Sequence, residues 1–406
     1  MVAVRRRPGT LAACATLALV AAACSRNGGA TGGGTPTTSP TDTVSTAPQA
    51  SVPSTPSPGV WRLLPVAPVK TPMYNVAAAW DGKEVLVSGR VCPAQTPPLG
   101  YTQTVAYNPA TTSWRTLPPF PGPRGCFEGG DNAFWDGKQL LLIGLTNAAY
   151  DPATNTWHKL PPGGRGSFAN VAAWTGRQTL GFGGGCCGEA YDVVRSFTPG
   201  TNSWSTPPSS PIDGRNGAFG VWDGKELIAT GGSREESSGF TTFGTGAAYD
   251  PAAKSWRTIS LLPAPRQDAA AVWDGSRMLV VGGQRIDSSA THYYPRGLSY
   301  DPSTDQWTSL PRMGYPRTGA AAVWTGSRML VWGGATVASH GTVPPPHGEA
   351  FDPATGRWSP LAKSPLRGRL DPVGVWTGKQ MFIWGGHAAD GDVFYYDGAI
   401  YTPGTA

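Results

Sequence analysis

Tryptophan recurs along this chain with a regularity that only a repeated supersecondary unit produces. An apolar stretch ending in Trp-Asp-Gly or Trp-Thr-Gly occurs at Trp80, Trp135, Trp174, Trp222, Trp273, Trp324 and Trp376. A second element runs from an aromatic, through Asp, Asn or Thr and Pro, to a downstream Trp. It spans Tyr107 to Trp114, Tyr150 to Trp157, Phe197 to Trp204, Tyr249 to Trp256, Tyr300 to Trp307 and Phe351 to Trp358. A seventh copy, Tyr401-Thr402-Pro403, stops before its Trp. The missing residue stands at the other end of the repeat region, in Trp61-Arg62-Leu63-Leu64-Pro65. The two series take all but Trp332 and Trp384 of the 16 tryptophans.

Each unit of about 50 residues reads as four short strands. The first, such as Ala269 to Trp273, is rich in Ala and Gly, as strands crowded around an axis must be. Asp274-Gly275 signals a tight hairpin because Gly tolerates positive φ. The second strand, Arg277 to Gly283, ends in a double glycine that lets another backbone approach. The third runs into Tyr300-Asp301-Pro302, where Pro fixes the turn, and the fourth starts at the outer Trp307. Helical periodicity is absent throughout.

Gly-Gly after strand two, then an aromatic, then a Trp leading into the outer strand, resembles the kelch repeat. The match covers residues 60–406 and implies an all-β, seven-bladed β-propeller. Blade 1 departs from the pattern with Ser88-Gly89, and blade 2 with Ile143-Gly144. Blade 2 also has almost no connection between its second and third strands. The permuted ends imply that Trp61 to Pro65 supplies the last strand of the last blade, removing an open edge.

Residues 1–23 read as a targeting signal: Arg5, Arg6 and Arg7, then an apolar run from Leu11 to Ala22 too short to span a bilayer permanently. Small residues lead directly to Cys24, an arrangement that resembles the lipobox of bacterial lipoproteins. It implies cleavage before Cys24, lipidation of its thiol, and an extracytoplasmic protein anchored to the cell membrane. Residues 24–59 are Thr, Ser, Pro, Gly and Ala with almost no large apolar side chain, the composition of a disordered tether. Without the signal there are 29 basic against 26 acidic residues, a formal charge of +3. Lys and Arg do not cluster, which argues against nucleic acid as a partner.

Loops joining strand two to three, and strand four to the next blade, share one face, and the variable lengths all fall there, making it the face on which to seek binding. Seven residues before the first Trp of each blade stand Met73, Glu128, Ser167, Arg215, Arg266, Arg317 and Arg369. The four arginines, from successive blades, are candidate ligand contacts: a one-sided cationic rim suited to a carboxylate, sulfate or phosphate. In kelch domains that capture acidic peptides, arginines near the corresponding position contact the ligand. A Pro-Arg there also belongs to the repeat itself, where such residues brace neighbouring blades.

After export and lipidation Cys92, Cys126, Cys186 and Cys187 remain, an even count that argues for disulfides with three possible pairings. A Cys92–Cys126 bridge would leave Cys186–Cys187 vicinal; the alternative crosslinks the blade 3 loop to those of blades 1 and 2. Neither Cys nor His spacing suggests zinc, and no cofactor is expected. His292, His340, His347 and His387, with Tyr293 and Tyr294, are the residue types of a copper radical oxidase similar to galactose oxidase. Its ligands, however, do not map residue by residue. An Arg-lined mouth would also suit a sialic acid mutarotase, yet no acid–base pair stands out. The reading is a monomeric binding module for an acidic glycan, a cell-wall component or a protein, rather than an enzyme.

Overall fold

The computed structural model describes residues 58–404, apart from 92–99, 121–129, 165–168, 186–189, 237–238, 288–289, 339–340, 344, 346 and 390–392. The chain divides into two units, Met1–Pro56 and Ser57–Ala406, and the described residues belong to the second. The signal, Cys24, nearly all of the tether, Cys92, Cys126, Cys186, Cys187, Glu128, Ser167 and His340 lie outside the described residues.

Seven antiparallel sheets of four radial strands form a ring. Blade 5 is representative: Gln267–Trp273 innermost, then Met278–Ile286, Arg296–Asp301 and Gln306–Arg312. Second strands are buried along their length, as in Leu140–Gly144 and Met381–Trp384, because sheets cover them on both sides. They accordingly read as unbroken apolar runs rather than alternating ones. Neighbouring innermost strands run side by side around the axis, blade 7 against blade 1 included.

The repeated motifs now have physical reasons. The aromatic of strand three and the Trp of strand four lie directly opposite in register, as Tyr107 does to Trp114 and Tyr300 to Trp307. Their ring centroids are 5.0 and 4.8 Å apart, a separation at which such pairs gain beyond area burial. In blades 1, 2, 4, 5 and 6 the turn between them is held by the Asp or Asn that follows the aromatic. Asp301 Oδ1 accepts from the Ser303 amide, and Asp151 Oδ1 from Ala153.

Each outer indole then donates across the seam to the preceding blade. Trp114 bonds the Pro65 carbonyl, Trp157 Pro118, Trp204 Pro161, Trp256 Pro208, Trp307 Ser260 and Trp358 Pro311. The expected closure is present. Val60–Leu63 pairs antiparallel with Gly398–Thr402 as the fourth strand of blade 7. Trp61 packs 5.0 Å from Tyr401 and gives its indole N–H to the Ala362 carbonyl, completing the seven-membered series.

Blade 2 is trimmed as its sequence suggests, with only Leu145 to Asn147 between Leu140–Gly144 and Ala148–Asp151. Blades 4 to 6 carry extensions on the variable face. In blade 4, Ser233–Glu236 pairs with Gly239–Thr242; in blade 5, Arg285 with His292; in blade 6, Thr336 with Val343.

Candidate functional site

The variable face has two tiers around the axis. The outer tier holds the four arginines, which are between 0 and 3 % exposed. The sequence suggested a cationic rim open to an acidic ligand; the structure places all four guanidiniums inside the blades. Each Nη1 of Arg215, Arg266 and Arg369 donates to the carbonyl of the first glycine of its own blade's Gly-Gly and to a carbonyl further along. The pairs are Gly231 and Thr245, Gly282 and Arg296, Gly385 and Asp397. In blade 6, Arg317 reaches Gly333 through Nη1 and His347 through Nη2. Every arginine thus ties together the two feet of its blade's loop between strands two and three.

Its own carbonyl faces the other way, accepting from the second glycine of the preceding blade at 2.8 to 3.0 Å (Gly184, Gly232, Gly283, Gly334). That close approach explains the double glycine. Gly282 and Gly283 have φ of 69° and 85°, and a Cβ on Gly282 would collide with the Arg317 carbonyl.

What covers each cation differs. An aromatic ring caps Arg215 (Phe243, 4.5 Å), Arg266 (Tyr294, 4.1 Å) and Arg369 (Tyr395, 4.2 Å). Such cation–π contacts strengthen once water is excluded. Arg317 instead meets the buried carboxylate of Glu349 at 2.8 Å, and Arg369 also meets the more exposed Asp397 at 2.6 Å. Burial, with no carboxylate bonded to them, pulls both Arg215 and Arg266 down to about 10, so they stay charged at neutral pH.

The inner tier lies two residues further along, at the channel mouth. Asn75, Gly217, Asp268, Gly319 and Asp371 all adopt left-handed backbone, with φ from 49° to 62°. The glycines alternate with the acids for a steric reason. A Cβ on Gly217 would sit 2.5 Å from Asp268 Oδ1, and one on Gly319 2.6 Å from Asp371 Oδ1. Each Asp therefore leans over the glycine of the blade before it and donates its amide to that residue's carbonyl at 2.9 Å.

Gln284 donates to Asp268 Oδ2 at 3.2 Å, and His387 Nε2 lies 3.2 Å from Asp371 Oδ2. Burial, and secondly the charge of Asp371, push the Asp268 carboxyl up to about 7. On the blade 2 side, burial likewise raises Asp131, which is bonded by Thr146 through side chain and backbone. Nothing in the sequence reading singled out Asp131, Asp268 or Asp371. For Asp268 and Asp371 the available signal was the run of Asn, Gly and Asp at one repeat position, residues that tolerate left-handed backbone.

The other candidates are not assembled into one centre. His292 lies 2.9 Å from Asp287 in the blade 5 extension, while His387 stands at the mouth in blade 7. Among the described residues no three His, Cys, Asp or Glu side chains are grouped to hold a metal ion.

Comparison with known proteins begins from a negative: no family model matches the chain. Over 342 residues, 82 % of this chain and 66 % of the relative, it is 29 % identical to the kelch-like protein terF of Aspergillus terreus. It is 28 % identical to kelch-like protein 25 of Xenopus tropicalis over 42 % of this chain and 27 % of that one. An F-box/kelch-repeat protein of Arabidopsis thaliana matches at 33 % identity over 29 % of this chain and 32 % of its own. The chain spans two thirds or less of the length of these relatives. The solved structure of YjhT covers 83 % of this chain and 96 % of its own, with a TM-score of 0.50 and 16 % identity, a likeness of fold alone.

Proposed function

Starting from a chain that is a kelch-repeat β-propeller, a scaffold for protein interaction, we propose that it is a lipid-anchored extracytoplasmic module binding a protein partner on the variable-loop face of blades 4 to 7. The observation that carries this reading is the asymmetry of that face. Blades 4 to 6 raise paired extensions, blade 7 adds the segment around His387 and Phe394, and blade 2 is cut to a three-residue connection. The blade 4 and blade 5 extensions touch, with Thr242 Oγ1 donating to the Ile286 carbonyl, so they make one wall.

Apolar side chains stand free on this wall and its continuation. Phe240 is 48 % exposed, Val393 49 % and Tyr396 46 %. Large apolar groups beside a polar mouth are what an interface core needs. The arginine clamps hold the feet of these loops, lowering the ordering cost of binding.

The test places a photo-crosslinking amino acid at Phe240 or Tyr396 and, as the contrast, at Lys138 on the hairpin face. The two variable-face positions should give a discrete protein adduct on intact cells and Lys138 none. Adducts from Lys138 alone would overturn the reading. Cys24→Ala should release the chain from the membrane fraction; a variant that stays bound would refute the anchor.

A further inference from the structure

The opposite face carries a feature built twice. Blades 1 and 4 share Trp-Asp-Gly-Lys-Glu, at 80–84 and 222–226, and Trp-Arg-Thr, at 114–116 and 256–258. In blade 1, Arg115 clasps Glu84 through Nε (3.1 Å to Oε1) and Nη2 (2.7 Å to Oε2), and Nη1 donates to the Tyr150 hydroxyl at 3.2 Å. That hydroxyl donates on to Asn155 Oδ1 at 2.7 Å. In blade 4, Arg257, Glu226, Tyr300 and Asp305 repeat the relay with distances between 2.6 and 3.3 Å.

The copies differ at one end. Ser260 bonds Asp305 through its amide (2.9 Å) and hydroxyl (2.8 Å), closing that corner. Pro118 stands at the corresponding place between blades 1 and 2, as the paired bonds from Trp157 and Trp307 show. It has no N–H or hydroxyl to give, and the Asn155 carboxamide nitrogen has no partner among the described residues. There a cleft of about 760 Å³ opens, lined by Asp81, Lys83, Arg115, Trp135, Ala153 and Asn155 among others.

The chemistry of the lining is specific. A half-buried indole, Trp135, forms part of the wall. Glu84 and Tyr150 take three of the five N–H donors of Arg115, leaving two on a side chain that is 39 % exposed. Asp81 uses Oδ1 on the Lys83 and Glu84 amides and keeps Oδ2 as an acceptor. Asp81 and Glu84 balance Lys83 and Arg115, so an ion of either sign would meet a like charge. An aromatic wall edged by fixed donors and an acceptor, with no net charge, fits a ligand that has one apolar face and a rim of hydroxyls.

We propose that the cleft between blades 1 and 2 binds a neutral pyranose, its C–H face on Trp135 and neighbouring hydroxyls on Arg115, Asp81 and Asn155. The clasp by Glu84 and Tyr150 fixes the guanidinium before the sugar arrives, and the pocket volume lies in the range of small-molecule sites. This site shares no residue with the variable face.

The experiment is saturation-transfer NMR on the full chain with the methyl glycosides of glucose, galactose, mannose, fucose and N-acetylglucosamine. At least one should bind in the millimolar range. Ala153→Trp, on an exposed turn, should fill the cleft and weaken that binding at least tenfold. Ser303→Trp, the same change in the blade 4–blade 5 twin, should leave it unchanged. Asn155→Asp keeps the relay, as Asp305 does, but removes the amide donors, and should weaken binding about fivefold. Absence of saturation transfer from all five glycosides, or undiminished binding by both Ala153→Trp and Asn155→Asp, would overturn the site.

Discussion

At the residue seven places before the inner Trp, blade 5 has Arg266 and blade 1 has Met73, and both are buried. The methionine fills space in the apolar seam with Val76, Val91 and Trp384. The arginine stands where its blade must hold a long loop by both feet, and backbone carbonyls there need donors. Blade 2, with three residues to connect, has nothing to clamp; its polar residues Asp131 and Thr146 bond each other instead. The contrast lies in where strands two and three part: in blade 1 they stay paired out to Val91 and Tyr101, whereas in blade 5 their pairing ends at Val280 and Leu298 and Arg266 bonds the carbonyls beyond. The guanidinium donors of the four arginines are turned to the backbone carbonyls of the loops they hold.

The largest test sits in blade 7, where clamp and ring closure meet. Deleting Val60–Leu63 removes the fourth strand and the Trp61 indole bond, and should abolish a single cooperative melt despite four intact clamps. A normal melt would show that the clamps alone hold the ring. Next comes Arg317→Met, which leaves Glu349 buried and unpaired and should cost about 3–5 kcal/mol in urea unfolding. A loss below about 1 kcal/mol would reduce the clamp to ordinary packing. Arg266→Lys keeps the charge but not the fork between Gly282 and Arg296, and should cost about 1–3 kcal/mol. Hydrogen exchange should speed up in residues 284–295 and stay unchanged in blade 2, where an equal rise would dissolve the comparison.

A smaller effect follows pH. The Asp268 carboxyl is pushed up to about 7, against an ordinary value near 4. The folded chain therefore holds a proton that the unfolded chain has released between these values, and stability falls as pH rises through that window. The groups facing Asp268 are Gln284, Asp371 and the Thr318 hydroxyl, which donates to its carbonyl. Asp268→Asn should raise the melting temperature at pH 8 and flatten its decline from pH 5; an unchanged slope would place the penalty elsewhere, Asp131 first. Smallest of all, Phe240→Ser should change stability by no more than about 0.5 kcal/mol while weakening partner capture.

The ring, the blade number and the closing strand were legible because each rests on residues adjacent in sequence or repeated at fixed spacing. Tyr300 faces Trp307 across a turn, and seven such turns leave one strand to be supplied by Trp61. Arg266 was equally visible as a residue, but not the direction of its side chain. That direction depends on Gly282, on Arg296 and on Tyr294, 28 positions away, whose ring closes over it. Asp268 and Asp371 were hidden for a similar reason: they reach the mouth only because Gly217 and Gly319, a blade earlier, leave room.

The strand Val60–Leu63 does more than complete a sheet. It enters beside Thr402, next to Gln380 in the hairpin of blade 7, with the Pro58 carbonyl held by Tyr401 and Ala362. That entry lies on the hairpin side of the ring. The Trp135 cleft shares that face of the ring, and the Phe240 wall stands on the opposite one. The two proposed recognition surfaces would thus differ in one respect: only the cleft shares its face with the point where the chain enters the ring.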